Sequence, residues 1–423
     1  MLETYFIKPQ TVDRIRVSWI GPEIEHYVNW LTEQGYSART ILRRVPMLVA
    51  FGEFVRLGGA REVTDLPGYV DDFVAGWISN SSASHYGAPT RPGLYKEIHG
   101  PIEHLLNLVV PDFERTGRRH RDDPFVDAVP GFFEYLVKER GLRPTTIRLY
   151  GHHLNRFQDY LIRIGITDLQ ELSPAILSAF IAERSGEGLS KSSIRDGCGI
   201  LCVFLRYAYR EGYLKSDLAK TVGWPQVYRL STIPRSISWG EAAKVLGEVD
   251  RRTPCGKRDY AILLLLATYG LRGREIVALT LDDIDWKRER LAIPERKAGH
   301  STAYPLSITV GEALVDYLRN GRPENSDRHV FFRATAPLQP ISNAGVSGCA
   351  RKYIIKAGIE VPRPGSHTLR HTCVQRLVDC DFSLKTIGDF IGHRSAASTE
   401  IYAKVAVESL RQVALGDGEE VLG

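Results

Sequence analysis

The chain has 423 residues, too many for one ordinary hydrophobic core, so two or three domains are expected. Its 43% hydrophobic and 25% charged content is that of a soluble globular protein, and a formal net charge of +5 is compatible with a nucleic-acid partner without proving one. The six cysteines (Cys198, Cys202, Cys255, Cys349, Cys373, Cys380) include no C-x-x-C pair and read as free thiols. An apolar run of about 18 residues is lacking, and Met1-Leu2-Glu3-Thr4 does not begin a basic-then-apolar signal. No membrane association and a cytoplasmic location are therefore expected.

The first part of the chain repeats itself. Ser37-Ala38-Arg39-Thr40-Ile41 resembles Arg143-Pro144-Thr145-Thr146-Ile147, and the same shift carries Leu48 onto Leu154, Phe51 onto Phe157 and Gly59 onto Gly165. A second match carries Tyr95-Lys96 onto Ile194-Arg195 and Gly100 onto Gly199. Two all-helical domains related by duplication are expected, over residues 1–120 and 124–228. A basic linker, Arg115 to Arg121, lies between them.

In the second copy, Ile147, Tyr150, Leu154, Phe157 and Leu161 recur at three- and four-residue steps, the pattern of an amphipathic helix. Arg148, His152 and Arg156 form an adjacent stripe on it. A later helix, capped by Ser190, carries Lys191, Arg195, Arg206 and Arg210 beside apolar Ile194, Leu201 and Leu205. One such stripe is an ordinary solvated face. Two in one small domain suggest a surface for a nucleic-acid backbone, with Arg148, Arg156, Lys191 and Arg195 as its contacts. The first copy has Leu42, Pro46 and Ala50 where the second has Arg148, His152 and Arg156. It is expected either to reach DNA through Arg39, Arg43 and Arg44 or to serve protein contacts.

After an extended segment around Trp224-Pro225, Ser238-Trp239-Gly240-Glu241 reads as a capping box opening a helix. Tyr260 to Tyr269 is apolar nearly all round, a buried helix stopped by Gly270, with Arg272 and Glu275 just beyond. Ile284–Trp286, Leu291–Ile293 and Thr302–Leu306 form a small antiparallel meander, with Lys297 in its second turn. His367-Thr368-Leu369-Arg370-His371 lies at a helix whose apolar side includes Leu369, Cys373 and Leu377. Two histidines four apart can hold zinc, but the metalloprotease pattern has Glu directly after the first, and here Thr368 stands there. Ile387 to His393 reads as a short helix ending in a glycine turn, and Tyr402 follows on a further helix. A phenol needs nearby positive charge or a base to act as a nucleophile at neutral pH, and the same cations would suit a phosphodiester transition state.

Taken in order, Gly-Leu-Arg, a hairpin lysine, His-x-Leu-Arg-His, Gly-His and Thr-x-x-Tyr resemble the tyrosine recombinase (phage integrase) family. The resemblance covers residues 236 to 410 and extends over the preceding helical domain from about 124; the first 120 residues lie outside the minimal family pattern. It implies a mainly α fold with a small antiparallel sheet: a catalytic domain over 236–415, preceded by two all-helical, SAM-like or core-binding-type domains, and followed by an acidic tail over 416–423. It further implies that Arg272 and Arg370 hold the scissile phosphate and that Tyr402 forms a 3′-phosphotyrosyl link. His367 would assist proton transfer, His393 would donate to the phosphate, and Lys297 would protonate the departing 5′-oxygen. Glu275 would buttress Arg272.

Neither cofactor nor metal is formally needed, because the covalent intermediate conserves the phosphodiester's free energy. The expected partners are double-stranded DNA sites and three further copies of the chain, joined as a tetramer through a C-terminal helix bearing Val407, Leu410 and Val413. Companion recombinases or accessory proteins are further expected partners, at the nucleoid of the cytoplasm. The expected role is site-specific recombination or integration for a mobile element. Type IB topoisomerase-like strand passage and a catalytically silent DNA-binding accessory remain as alternatives.

Overall fold

The computed structural model of the chain describes residues 1–80, 91–111, 113, 123–226, 235–294 and 301–392. They fall into two compact units, one of Met1–Arg115 with Thr232–Gly423 and the other of Thr116–Ser231. Among the described residues the fold is mainly helical, with one three-stranded sheet.

In the first unit, α1 (Leu2–Tyr5), α2 (Pro9–Val17), α3 (Gly21–Glu33), α4 (Ala38–Leu57), α5 (Val70–Asn80) and α6 (Arg91–Val109) enclose their own core. Ile24, Leu31, Leu48, Phe51, Ile102 and Leu105 are buried in it. Ser37 starts α4 by accepting the amide of Thr40, satisfying one of the donors that a helix start leaves open.

The second unit contains α7 (Phe132–Lys138), α8 (Pro144–Arg163), α9 (Pro174–Gly186) and α10 (Lys191–Arg210). The apolar stripe read from the sequence is its core: Tyr150, Leu154, Phe157 and Leu161 of α8 pack with Ile194, Leu201 and Leu205 of α10. The expected Ser190 cap is present and accepts the amide of Ser193.

The rest of the first unit begins with α11 (Trp239–Gly247), opened by the expected capping box between Ser238 and Glu241. Next come α12 (Pro254–Tyr269) and α13 (Gly273–Ala278), then β1 (Ile284–Asp285), β2 (Arg290–Ile293) and β3 (Thr302–Pro305). The strands pair antiparallel in chain order, with Ile284 opposite Leu291 and Leu291 opposite Tyr304. Four helices follow: α14 (Ile308–Asn320), α15 (Asn343–Lys356), α16 (Ser366–Asp379) and α17 (Leu384–Ile391).

The buried helix α12 starts earlier than its apolar run. Thr253 caps it, Pro254 occupies its first turn, and the polar pair Arg258–Asp259 is accommodated by a 2.6 Å ion pair. Its apolar stretch, Ala261 to Leu266, lies in the core with Leu314 and Tyr317 of α14 and Leu369 of α16. Among the described residues no helix is long and apolar enough to cross a membrane.

Candidate active site

The site is assembled where α12 stops. Gly270 takes the left-handed conformation (φ 58°) that ends the helix. A side chain there would be strained, and its Cβ would lie 3.2 Å from the Cys373 sulfur. The turn leaves Arg272 at the N-cap of α13. There Glu275, buried within the protein, accepts both the Arg272 amide and the Arg272 guanidinium, each at 2.8 Å. The two side chains therefore form an ion pair. The guanidinium does more, however, because its other terminal nitrogen donates to the Gly392 carbonyl at 2.9 Å.

Arg370 reaches the same place from α16. It is only 4% exposed, donates to the Gly270 carbonyl, and donates to the Ile391 carbonyl at 2.9 Å. Two guanidiniums from distant parts of the chain thus engage consecutive carbonyls at the end of α17. Last-turn carbonyls have no partner within their own helix, so this end is a ready acceptor for cations. Arg272 keeps 19% of its side-chain surface exposed, enough to face a ligand.

His367 sits in the first turn of α16 with its surface exposed. Its pKa is nevertheless held below the usual imidazole range, first by the surrounding protein mass and then by Arg370 and Arg272. The shift favours the neutral imidazole, the form that can accept a proton. His371, one turn on, is more deeply enclosed and its pKa is pushed down to about 4, by burial and then by His367, Arg370 and Arg235. The two rings stand 6.3 Å apart, centre to centre. Among the described residues no cluster of three histidine, cysteine or acidic side chains could hold a metal ion.

Of the six residues singled out for catalysis, Arg272, Arg370 and His367 are brought together. Lys297, His393 and Tyr402 lie outside the described residues. The strands flanking the Lys297 turn are in place, with Ile293 opposite Thr302, and α17 ends on a left-handed Gly392, directly before His393 in the chain.

Two features at this site were not foreseen. One is the use of α17 backbone carbonyls as anchors, which no residue type announces. The other is Tyr304 on β3, an ordinary strand residue by sequence, whose hydroxyl donates to the Phe390 carbonyl.

In the second unit, Arg148, His152 and Arg156 on α8 and Lys191 and Arg195 on α10 are all exposed. Arg148, Arg156, Lys191 and Arg195 form no ion pair among the described residues, whereas Arg210 is paired with Glu139 and Glu211. In the first copy, Arg43 pairs with Glu97, and half-buried Arg44 donates to the Tyr27 hydroxyl and stacks on Tyr36. Two of its three arginines are therefore already engaged within their own domain.

Residues 240–409 match the phage integrase family, and residues 129–212 match the N-terminal SAM-like domain of phage integrases. A protein named as an integrase/recombinase, y4rA of Sinorhizobium fredii, is 32% identical over 92% of this chain and 92% of its own. The chain belongs to the phage integrase family. As a member it is a tyrosine-type recombinase, an enzyme that transfers DNA strands.

Solved phage-integrase-like recombinases share its fold. XerH bound to its palindromic difH substrate, after cleavage, superposes with a TM-score of 0.55 at 16% identity, over 83% of this chain and 96% of that one. A lambda integrase tetramer bound to a Holliday junction superposes with a TM-score of 0.50 at 19% identity, over 73% and 89%.

Proposed function

We propose that this recombinase cuts and rejoins DNA with Arg272 and Arg370 on the non-bridging oxygens of the scissile phosphate and Tyr402 as nucleophile. The observation that carries this reading is the meeting of the two guanidiniums at one helix end, with His367 three residues before Arg370 on α16. A planar guanidinium offers five N–H donors in a fixed fork, suited to phosphate oxygens and to the charge that builds on them in the transition state.

The Tyr402 oxygen bonds to phosphorus as its proton passes to His367. The bond from phosphorus to the 5′-oxygen breaks, and Lys297 gives that oxygen a proton. The product is a 3′-phosphotyrosyl link and a free 5′-hydroxyl, with His393 donating to the phosphate. Attack by a partner strand's 5′-hydroxyl reverses these steps and restores the diester bond.

The substrate is duplex DNA, gripped by Arg148, Arg156, Lys191 and Arg195. Exchange of two duplexes needs four protomers. The lambda integrase tetramer on a Holliday junction supports that assembly, with the segment after Ala403 as the docking element. The domains are residues 1–120, 124–228 and 236–415, with a tail over 416–423. The duplication of the first two is supported by α4 and α8, both 20 residues long and in step under the sequence repeat. Matching left-handed glycines support it further: Gly35 with Gly141, and Gly59 with Gly165. The biological setting is a mobile element, and the protein works in the cytoplasm at the nucleoid.

The test is a nicked suicide substrate, from which the short fragment bearing the free 5′-hydroxyl escapes and the covalent adduct accumulates. Tyr402→Phe should bind this DNA normally and form no adduct. An adduct that survives the substitution would overturn the assignment.

A further inference from the structure

At the C-terminus of α17, three successive backbone carbonyls are each taken by a side chain from a different element. Phe390 accepts from the Tyr304 hydroxyl of β3, Ile391 from Arg370 of α16, and Gly392 from Arg272 at the start of α13. The arginine contacts are the ones that orient the proposed phosphate site. The tyrosine contact fixes the peptide immediately before them.

Tyr304 is itself held tightly. It is 2% exposed, its ring packs edge-on against Phe390 at 5.0 Å, and the tilted ring of Tyr269 also lies 5.0 Å from it. A hydrogen bond made in so enclosed a place is costly to leave unmade, because the carbonyl cannot turn to water instead.

We infer that Tyr304 is a positioning residue for strand cleavage: by fixing the Phe390 carbonyl it sets the path of Ile391 and Gly392, and through them the orientation of Arg370 and Arg272. It touches no DNA and transfers no proton. The inference rests on the proposed roles of those arginines.

Tyr304→Phe removes the hydroxyl and keeps the packed ring. A matched control is Tyr269→Phe. That phenol, also buried, accepts the Ser307 amide at 3.0 Å and donates to Pro305 at 2.8 Å, but makes neither bond to α17. Full-length variants are compared for thermal melting, duplex binding and single-turnover cleavage of the suicide substrate.

Tyr304→Phe should bind DNA as the parent does and cleave about tenfold more slowly, the effect of a single lost orienting hydrogen bond. Tyr269→Phe should lower the melting temperature with little change in rate. The slowing should persist on DNA with sulfur in place of the scissile 5′-oxygen, since a thiolate leaves without a general acid while the arginines still act on the non-bridging oxygens.

A parental rate for Tyr304→Phe, an equal slowing by both variants, or recovery on the sulfur substrate would each overturn the inference. Arg370→Ala is run in parallel. If it cleaves like the parent, the site reading and the inference fall together. If it is inactive while Tyr304→Phe is not slowed, only the inference falls.

Discussion

Arg272 and Glu275 close a reciprocal pair at the start of α13: the carboxylate accepts the arginine's amide with one oxygen and its guanidinium with the other. Glu275 is buried, so the pair is shielded from competing water and sets the direction of the guanidinium. Glu275→Ala should lower unfolding free energy by about 3 kcal/mol, because it strips a partly buried cation of its partner. It should also slow cleavage on the order of a hundredfold through misplacement of Arg272. Glu275→Gln, which can still accept the backbone amide, should recover more stability than activity. Urea unfolding and suicide-substrate kinetics separate the two effects.

Gly270 carries a double constraint, a left-handed backbone and a neighbouring Cys373 sulfur 3.2 Å from where a Cβ would stand. Gly165 has the same backbone requirement (φ 78°) with nothing within 4 Å. Gly165→Ala should therefore cost only the conformational penalty, about 1–2 kcal/mol, and Gly270→Ala should cost more. Only Gly270→Ala should also slow cleavage, since the Gly270 carbonyl is an Arg370 anchor. Equal shifts in the two urea midpoints would refute the steric part of this account.

Much of the fold was legible because its signals are local. The Ser190 and Ser238 caps, the α8 stripe and the strands around Leu291 are each set by residue types at fixed spacing. Arg272, Arg370 and His367 could be singled out from the sequence because they stand in the order and local context of the family motifs, and their roles rest on the proposed function. What joins them could not be singled out in this way. The acceptors at Gly270, Ile391 and Gly392 are backbone carbonyls that every residue possesses, and only tertiary packing selects them. Tyr304 was hidden for the opposite reason, since a tyrosine in a strand is common and its hydroxyl's partner lies far along the chain. The early start of α12 was missed because Arg258 and Asp259 interrupt the apolar pattern, yet they neutralise each other in place.

The exposed arginines of α8 and the engaged arginines of α4 should respond differently to substitution. Arg148→Ala and Arg156→Ala should each reduce the slope of log binding constant against log salt by about one, the signature of a lost phosphate contact. Arg44→Ala should leave that slope alone and lower the melting temperature, because Arg44 packs on Tyr36 and donates to Tyr27. Salt titrations of duplex binding, set beside thermal melts, check both. A salt slope lowered equally by Arg44→Ala would place the first domain on the DNA after all.

His371 gives the fold a specific weakness in acid. Its folded pKa is about 4, against 6.5 for an unperturbed imidazole, and burial is the main cause. As pH falls through 6.5 the unfolded chain takes up this proton while the folded chain does not, so unfolding is progressively favoured. Down to pH 4 the loss from this one group amounts to about 3 kcal/mol, and below pH 4 it grows no further because both states are then protonated. Above pH 7 the group contributes nothing to the pH dependence. His371→Gln removes this titration, so its stability should fall less steeply between pH 6.5 and 4, while His367, shifted in the same direction, leaves a residual slope. Urea unfolding across that range measures the difference. Parallel curves for parent and variant would show that His371 takes up its proton alike in the folded and unfolded chain, and would refute the account.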